Sequence, residues 1–295
     1  MNEFMRFHPF VCFLYFAFVI GFSMFFMHPG CLLISLASAL IYAVKANGAK
    51  KTAKKLLYIL PMVLLTAALN PLFNHRGVTV LFYLPDKNPL TAESAIYGIS
   101  AAAMLLSVFF WFSFYNKVMT SDKLLCVFGR VLPSLSLIIS MSLRFVPRFA
   151  DEIKRIYAAK KCMGQGMKGK SILKKIEYSF DILSVMASWA LENSVETADS
   201  MRARGYGLKK RTAYSDYRFS ARDAFLFSVI AAFGIYTLYG GVSGKIAFSY
   251  FPALKGAEPS LFGASFFLSY ALLCAMPLII EITEERKWKA LRSKI

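Results

Sequence analysis

The chain has 295 residues, 57% of them hydrophobic and 16% aromatic, a balance too apolar for an ordinary soluble domain. Its net charge of +18 would point to nucleic acid in a soluble protein. Among recurrent long apolar runs, lysine and arginine instead mark cytoplasmic loops and the headgroups of anionic lipid, so the partner implied is the lipid bilayer and not nucleic acid. The five cysteines, Cys12, Cys31, Cys126, Cys162 and Cys274, include no C-x-x-C pair, so free thiols are expected, with no disulfide framework and no zinc site.

Residues 9–27 form the first apolar run, with aromatics throughout and no small-residue cleavage site before Cys31, so it reads as a span and not a removable leader. His28-Pro29-Gly30 breaks it, and a second run covers 31–44. Residues 45–55 hold five lysines and no acid, which places them in the cytoplasm. A third run, 56–73, is followed by a nearly charge-balanced stretch, 74–90, that suits the outside. The fourth, 92–115, is about 36 Å long as a helix, enough to cross with some tilt.

Residues 124–146 are also apolar enough to cross. A single crossing there would carry Lys154, Arg155, Lys160, Lys161, Lys168, Lys170, Lys174 and Lys175 to the outside, against the charge rule. Gly129-Arg130 and Pro133 interrupt the run, and Arg144 and Pro147 end it. It therefore reads as helices against the cytoplasmic side; the alternative is a true span with its return pass in 180–191. Residues 117–222 carry 20 lysines and arginines against 9 acids, or +11 of the chain's +18. Within them the pattern predicts a basic-faced helix over 150–162, a turn over 164–170, and a long helix over 172–201. Ile182, Met186, Trp189 and Ala190 give that helix an apolar stripe at steps of three and four. Spans over 223–240 and 260–282 follow, separated by an outer loop, and then a basic tail containing Trp288. The fold class expected is all-α and polytopic, with about six transmembrane helices and both termini inside. The divisions are 1–116 (four spans), 117–222 (a cytoplasmic module of amphipathic helices), 223–283 (two spans) and 284–295 (the tail).

Gly164-Gln165-Gly166-Met167-Lys168-Gly169-Lys170-Ser171 matches the phosphate-loop pattern G-x-x-x-x-G-K-[ST]. Such a loop needs a hydrophobic strand before it, to hold the turn rigid under the phosphates. Here a basic helical stretch precedes it, so the match reads as a Gly/Lys-rich turn. His8, His28 and His75 lie far apart at segment ends, which leaves no metal centre and no nucleophile–base set. Glu192/Glu196 and Glu196/Asp199 share a solvated helix face, which argues against carboxylate-pair catalysis. Glu93, Asp223 and Glu281 fall at span ends, so the spans offer no charged solute path.

Arg202-Ala203-Arg204-Gly205 remains. Glycine can end a helix in the left-handed region, and arginine suits a helix C-terminus. Arginine at a rigid helix tip can also fork onto the carboxylates or carbonyls of a partner. The longer stretch Glu196-x-Ala198-Asp199-Ser200-Met201-Arg202-Ala203-Arg204-Gly205-Tyr206-Gly207 resembles the second coupling-helix signature of the transmembrane T component of energy-coupling factor (ECF) transporters. Met141-Ser142-Leu143-Arg144-Phe145-Val146-Pro147 is similar to the segment ahead of that family's first coupling helix, and His8-Pro9 is similar to its start. The specific match runs over 132–207. Ala159-Lys160-Lys161-Cys162-Met163-Gly164 holds the place of the first signature, with Met163 where the family has arginine. Lys160 or Lys161 is then left to supply charge there, without the bidentate fork.

The resemblance implies a scaffold and energy coupler in a prokaryotic cell membrane, not an enzyme. Two cytoplasmic ATP-binding-cassette ATPases would dock at Arg202, Ala203, Arg204 and Gly205 and at Lys160, Lys161, Cys162, Met163 and Gly164. A separate small membrane subunit would bind the vitamin or transition-metal ion. ATP would belong to the partners, with no cofactor or metal held by this chain. Two alternatives stay open at this point: the permease of another importer of the same type, and an interfacial enzyme acting on lipid phosphates through the lysines of 154–175.

Overall fold

A computed structural model describes residues 3–83, 89–129, 132–164, 171–208, 217–256 and 261–292. In chain order the elements are α1 (Pro9–Phe25), α2 (Pro29–Asn47), α3 (Ala49–Phe73), β1 (Val80–Tyr83), β2 (Pro89–Thr91), α4 (Ala92–Val118), α5 (Ser121–Gly129), α6 (Pro133–Cys162), α7 (Ile172–Ala203), α8 (Ala221–Val242), β3 (Phe248–Ser249), β4 (Lys255–Gly256) and α9 (Leu261–Arg292). The strands make two small antiparallel hairpins, β1–β2 and β3–β4. The chain divides into two compact units, Met1–Val127 with Tyr217–Ile295, and Phe128–Asp216.

The first unit is a helical bundle. By length and composition α2, α3, α4, α8 and α9 can each cross a membrane. α1, at 17 residues, is about 25 Å long, at the short end of the crossing range. Five crossing helices and this shorter apolar one fill the places that the hydropathy pattern gives to six spans. Cys12, Cys31 and Cys274 are buried and all five cysteines are free.

Two histidines start the bundle in the same way. His8 and His28 each stand before a proline at the first helical position, and each turns its side chain back onto its own helix. His8 Nδ1 accepts from the Phe10 N–H at 3.3 Å, and His28 Nδ1 accepts from the Gly30 N–H at 3.1 Å. An imidazole replaces the usual serine or aspartate at a helix N-cap. α8 begins with a capping box between Ser220 and Asp223. Asp223 Oδ1 also accepts the His8 N–H at 3.0 Å, so one carboxylate ties the starts of α1 and α8 together.

The N-cap at His28 requires Nδ1 without its proton. Burial holds this imidazole below the ordinary value of 6.5. The unfolded chain therefore binds the proton more readily, and the cap's contribution is complete above 6.5 and lost as the pH falls through the depressed value. His28→Asn, which keeps a cap that does not titrate, should show a flatter fall in melting temperature between neutral and mildly acid pH than the natural chain. His28→Ala should lose about 1 kcal/mol at neutral pH. Parallel melting curves for the natural chain and His28→Asn would contradict the cap.

On α1, Val11, Cys12, Tyr15, Phe16, Val19 and Phe22 form the inward stripe. They pack in one core with Phe110, Trp111 and Phe114 of α4 and with Phe266, Tyr270 and Leu273 of α9. Hydroxyls cross its middle. Ser35 Oγ lies 2.7 Å from Ser23 Oγ and 2.6 Å from Ser107 Oγ, Trp111 Nε1–H donates to Ser35 at 3.0 Å, and Tyr270 OH lies 3.1 Å from Ser23. Four helices are joined without a charge, as suits buried polar groups in a low-dielectric interior. α3 differs from its neighbours: only Thr52 and Ile59 are buried along it.

The lysine stretch at 45–55, whose charge places it in the cytoplasm, is helical on both sides of one break. Its alanines and lysines favour helix, and only Gly48, at φ +84°, breaks the chain between α2 and α3.

The second unit is an antiparallel pair, α6 and α7. Besides Ser136 near its start, the described half-buried residues of α6 are Leu137, Met141, Phe145, Phe149, Glu152, Ile156 and Lys160, at steps of four and three. On α7 the matching stripe is Tyr178, Ile182, Met186, Trp189, Ala190, Asn193, Thr197 and Met201. These are 3.6-period stripes facing each other. The contacts fix the register: Phe149 on Trp189 (5.6 Å between centroids), the Arg148 guanidinium over Trp189 (5.5 Å), Tyr157 on Tyr178 (6.2 Å) and Lys160 Nζ to Asp181 (3.3 Å).

The break expected at Arg144 and Pro147 does not occur. α6 runs unbroken from Pro133 to Cys162 with Pro147 inside it. Proline at 147 removes one backbone donor, the one that would have met the Leu143 carbonyl. Both residues are exposed, so water can take that acceptor. The helix expected to start near 150 is thus the second half of a longer one.

Candidate docking site

The two candidate groups sit at the C-terminal ends of α6 and α7, and the backbone ends both helices alike. On α7, Arg204 is the C-cap and Gly205 follows at φ +83°. The Gly205 N–H donates to the Arg202 carbonyl at 2.9 Å, and the Tyr206 N–H to the Met201 carbonyl at 3.0 Å. This pair of bonds is the Schellman closure, and it needs the left-handed residue that glycine supplies. On α6, Met163 is the C-cap, Gly164 follows at φ +78°, and the Gly164 N–H donates to the Lys161 carbonyl at 3.1 Å.

The caps therefore set Gly164 opposite Gly205, Met163 opposite Arg204, Cys162 opposite Ala203 and Lys161 opposite Arg202. This is the alignment expected from the sequence, reached through backbone geometry.

Each tip turns its side chains outward. Arg202, Ala203 and Arg204 are exposed, as are Lys161, Cys162 and Met163, the last at 67%. Arg202 makes only an exposed ion pair with Asp199, at 3.6 Å, which contributes little. Lys160 is different. Its side chain is 13% exposed, paired with Asp181, and its ammonium lies 5.5 Å from the centre of the Tyr178 ring. Lys160 therefore fastens the hairpin, and Lys161 is the exposed cation on that tip. Spacing alone did not separate the two lysines; the α6 stripe ending at Ile156 and Lys160 carries the signal.

Because the helices are antiparallel, the tips lie at opposite ends. Lys160 is beside Tyr178, and the length of α7 from Tyr178 to Arg204 is about 39 Å at 1.5 Å per residue. The arrangement is one stiff strut with a glycine-closed tip at each end. It offers positive charge at both and an aliphatic thioether at one.

The phosphate-loop pattern begins at Gly164, directly after a helix and not a strand, and residues 165–170 lie outside the described part. Among the described residues, no three of His, Cys, Asp and Glu converge as metal ligands.

The profile of the CbiQ family, described as cobalt transport protein, matches residues 3–214, from the first turn through both tips. The chain belongs to this family. Curated relatives carry the name energy-coupling factor transporter transmembrane protein EcfT. The Streptococcus thermophilus protein is 31% identical over 118 residues, 40% of this chain and 45% of its own length. The Staphylococcus aureus protein is 31% identical over 102 residues, 34% and 38%. The Bacillus selenitireducens protein is 28% identical over 192 residues, 61% and 71%. The chain thus spans less than half the length of the first two of these relatives. Membership of a family described as cobalt transport protein supports transport over one alternative left open by the sequence, the lipid-phosphate enzyme.

Proposed function

We propose that this chain is the transmembrane energy-coupling component of an ECF-type importer, a scaffold that converts motion and catalyses nothing. The observation that carries the reading is the pair of glycine-closed, outward-facing helix tips at opposite ends of one hairpin. Two such tips suit two copies or two kinds of one soluble partner, one at each end. In this reading the partners are cytoplasmic ATP-binding-cassette ATPases, which hold the ATP; this chain binds no cofactor of its own. Arg202 and Arg204 fork into one ATPase, and Lys161 and Met163 meet the other. ATP-driven closure moves both tips, and the Lys160–Asp181 and Phe149–Trp189 contacts make α6 and α7 move as stiff levers. The apolar bundle passes that motion to a separate small membrane subunit that holds the vitamin or transition-metal ion. The chain lies in the cell membrane with both termini in the cytoplasm, as the lysine-rich 45–55 connection and basic tail favour.

Photocrosslinking tests the reading. A crosslinkable residue at 204 and one at 163 should each yield an adduct with an ATPase, while one at exposed Glu192 on the flank of α7 should not. Adducts with lipid alone at both tips would overturn the docking role.

The unlike side chains give a second expected outcome. Met163→Arg places the missing fork on an unchanged cap and should raise ATPase retention about tenfold, since one charge-assisted hydrogen bond is worth about 1.5–3 kcal/mol. Retention is read as the ATPase-to-chain ratio after washing at rising salt. An unchanged ratio would show that the α6 tip does not dock through charge.

A further inference from the structure

α3 is the least covered of the crossing helices. Its outward face runs Lys51, Lys54, Tyr58, Met62, Leu65 and Leu69, all exposed, with Tyr58 at 87%. Their spacing of three and four puts them on one stripe. The lower part of the stripe is bare hydrocarbon surface, which in a crossing helix faces acyl chains. The upper part is cationic, and a tyrosine marks the boundary, as aromatic residues do at a membrane interface.

Three of the lysines there have no role in the fold. Lys45 pairs with Glu285 at 3.3 Å, and Lys55 donates to Ser113 Oγ at 2.8 Å. Lys50, Lys51 and Lys54 are exposed on the first two turns of α3, and the first turn contains no acid. Cations at a helix N-terminus oppose the dipole, so this end of α3 is set up for an external anion. Gly48 supplies no side-chain cap to compete for it.

We propose that Lys50, Lys51 and Lys54 form a seat for the phosphodiester headgroup of an anionic phospholipid in the inner leaflet, its acyl chains lying along the Tyr58–Leu69 face of α3. The occupant is a lipid because the cationic and apolar surfaces are continuous on one stripe. A free phosphate would use only the first of these surfaces. The seat rests on the topology given above, with 45–55 in the cytoplasm.

The test is native mass spectrometry of the full chain extracted from vesicles containing equal amounts of phosphatidylglycerol and phosphatidylcholine. The natural chain should retain phosphatidylglycerol in preference. K50Q/K51Q/K54Q should lower that preference by about 10-fold or more, since each lysine held near an anionic surface is worth about fivefold. K50R/K51R/K54R should keep it, and so should K154Q/K174Q/K175Q, which removes the same charge from the second unit. Equal preference in the first variant, or an equal loss in the last, would overturn the seat. Ala53→Cys separates the seat from the topology: a membrane-impermeant thiol reagent reaching this position from outside sealed cells would overturn both. If the position is shielded and the preference is still unaffected, only the seat falls.

Discussion

Arg204→Glu should strip the ATPase proposed to dock at the α7 tip from the purified chain and leave the chain folded in the membrane. The side chain is exposed, and its backbone, not its guanidinium, closes the helix. Glutamate at a helix C-terminus opposes the dipole by only about 0.3–1 kcal/mol, too little to unfold a cap held by Gly205. At the proposed interface the change removes a bidentate donor and sets a carboxylate against the acceptors that the arginine would meet. Truncating one partner of a buried charge pair costs roughly 2–5 kcal/mol, and reversal adds repulsion. Affinity at that end should fall by about 100-fold or more. Arg204→Lys should fall in between, because it keeps the charge and loses the fork. The readout is the ATPase-to-chain ratio after affinity purification, beside a size-exclusion profile that reports folding. Normal capture by Arg204→Glu would remove Arg204 from the docking surface.

Trp111→Ala should have the largest effect on stability. Trp111 is 1% exposed in the centre of the bundle, and its indole N–H donates to Ser35. Removing a buried indole leaves a cavity and costs about 3–5 kcal/mol. It also takes one member from the hydroxyl network that joins α1, α2, α4 and α9. Trp111→Phe keeps most of the volume and loses only the donor, so about 1–2 kcal/mol is expected. Tyr58→Ala, on the bare face of α3, should change little. Thermal unfolding in one detergent compares the three. ATPase capture per folded molecule should be unaffected by Trp111→Phe, because the tips belong to the other unit. Equal unfolding temperatures for Trp111→Ala and the natural chain would contradict the core described here.

The apolar runs located the crossing helices because membrane thickness sets their length and lipid sets their composition; both can be read from single residues in order. Ends were harder. Pro147 suggested a stop, yet the helix continues, because an exposed proline gives up one bond to water and no packing. The lysines at 45–55 told the side of the membrane and nothing of the backbone, where Gly48 alone decides the turn. The two tips were legible as a glycine after a basic turn. Their alignment rests on a shared cap, a glycine at positive φ whose N–H meets the carbonyl three residues back. The difference between Lys160 and Lys161 depends on Asp181 and Tyr178 across the hairpin, a pairing set by the antiparallel register. The imidazole caps at His8 and His28 were visible as His-Pro pairs and read only as histidines at segment ends.

The central claim is that one hairpin joins two ATPases to a membrane bundle. Its most direct test is the native mass of the complex formed around the affinity-tagged chain, extracted from its own membrane without added nucleotide. The mass should equal one copy of this chain, two ATPase subunits and one small membrane protein, and Arg204→Glu should reduce it by at least one ATPase. A chain recovered alone, or one that carries a single ATPase whether or not Arg204 is present, would contradict the account.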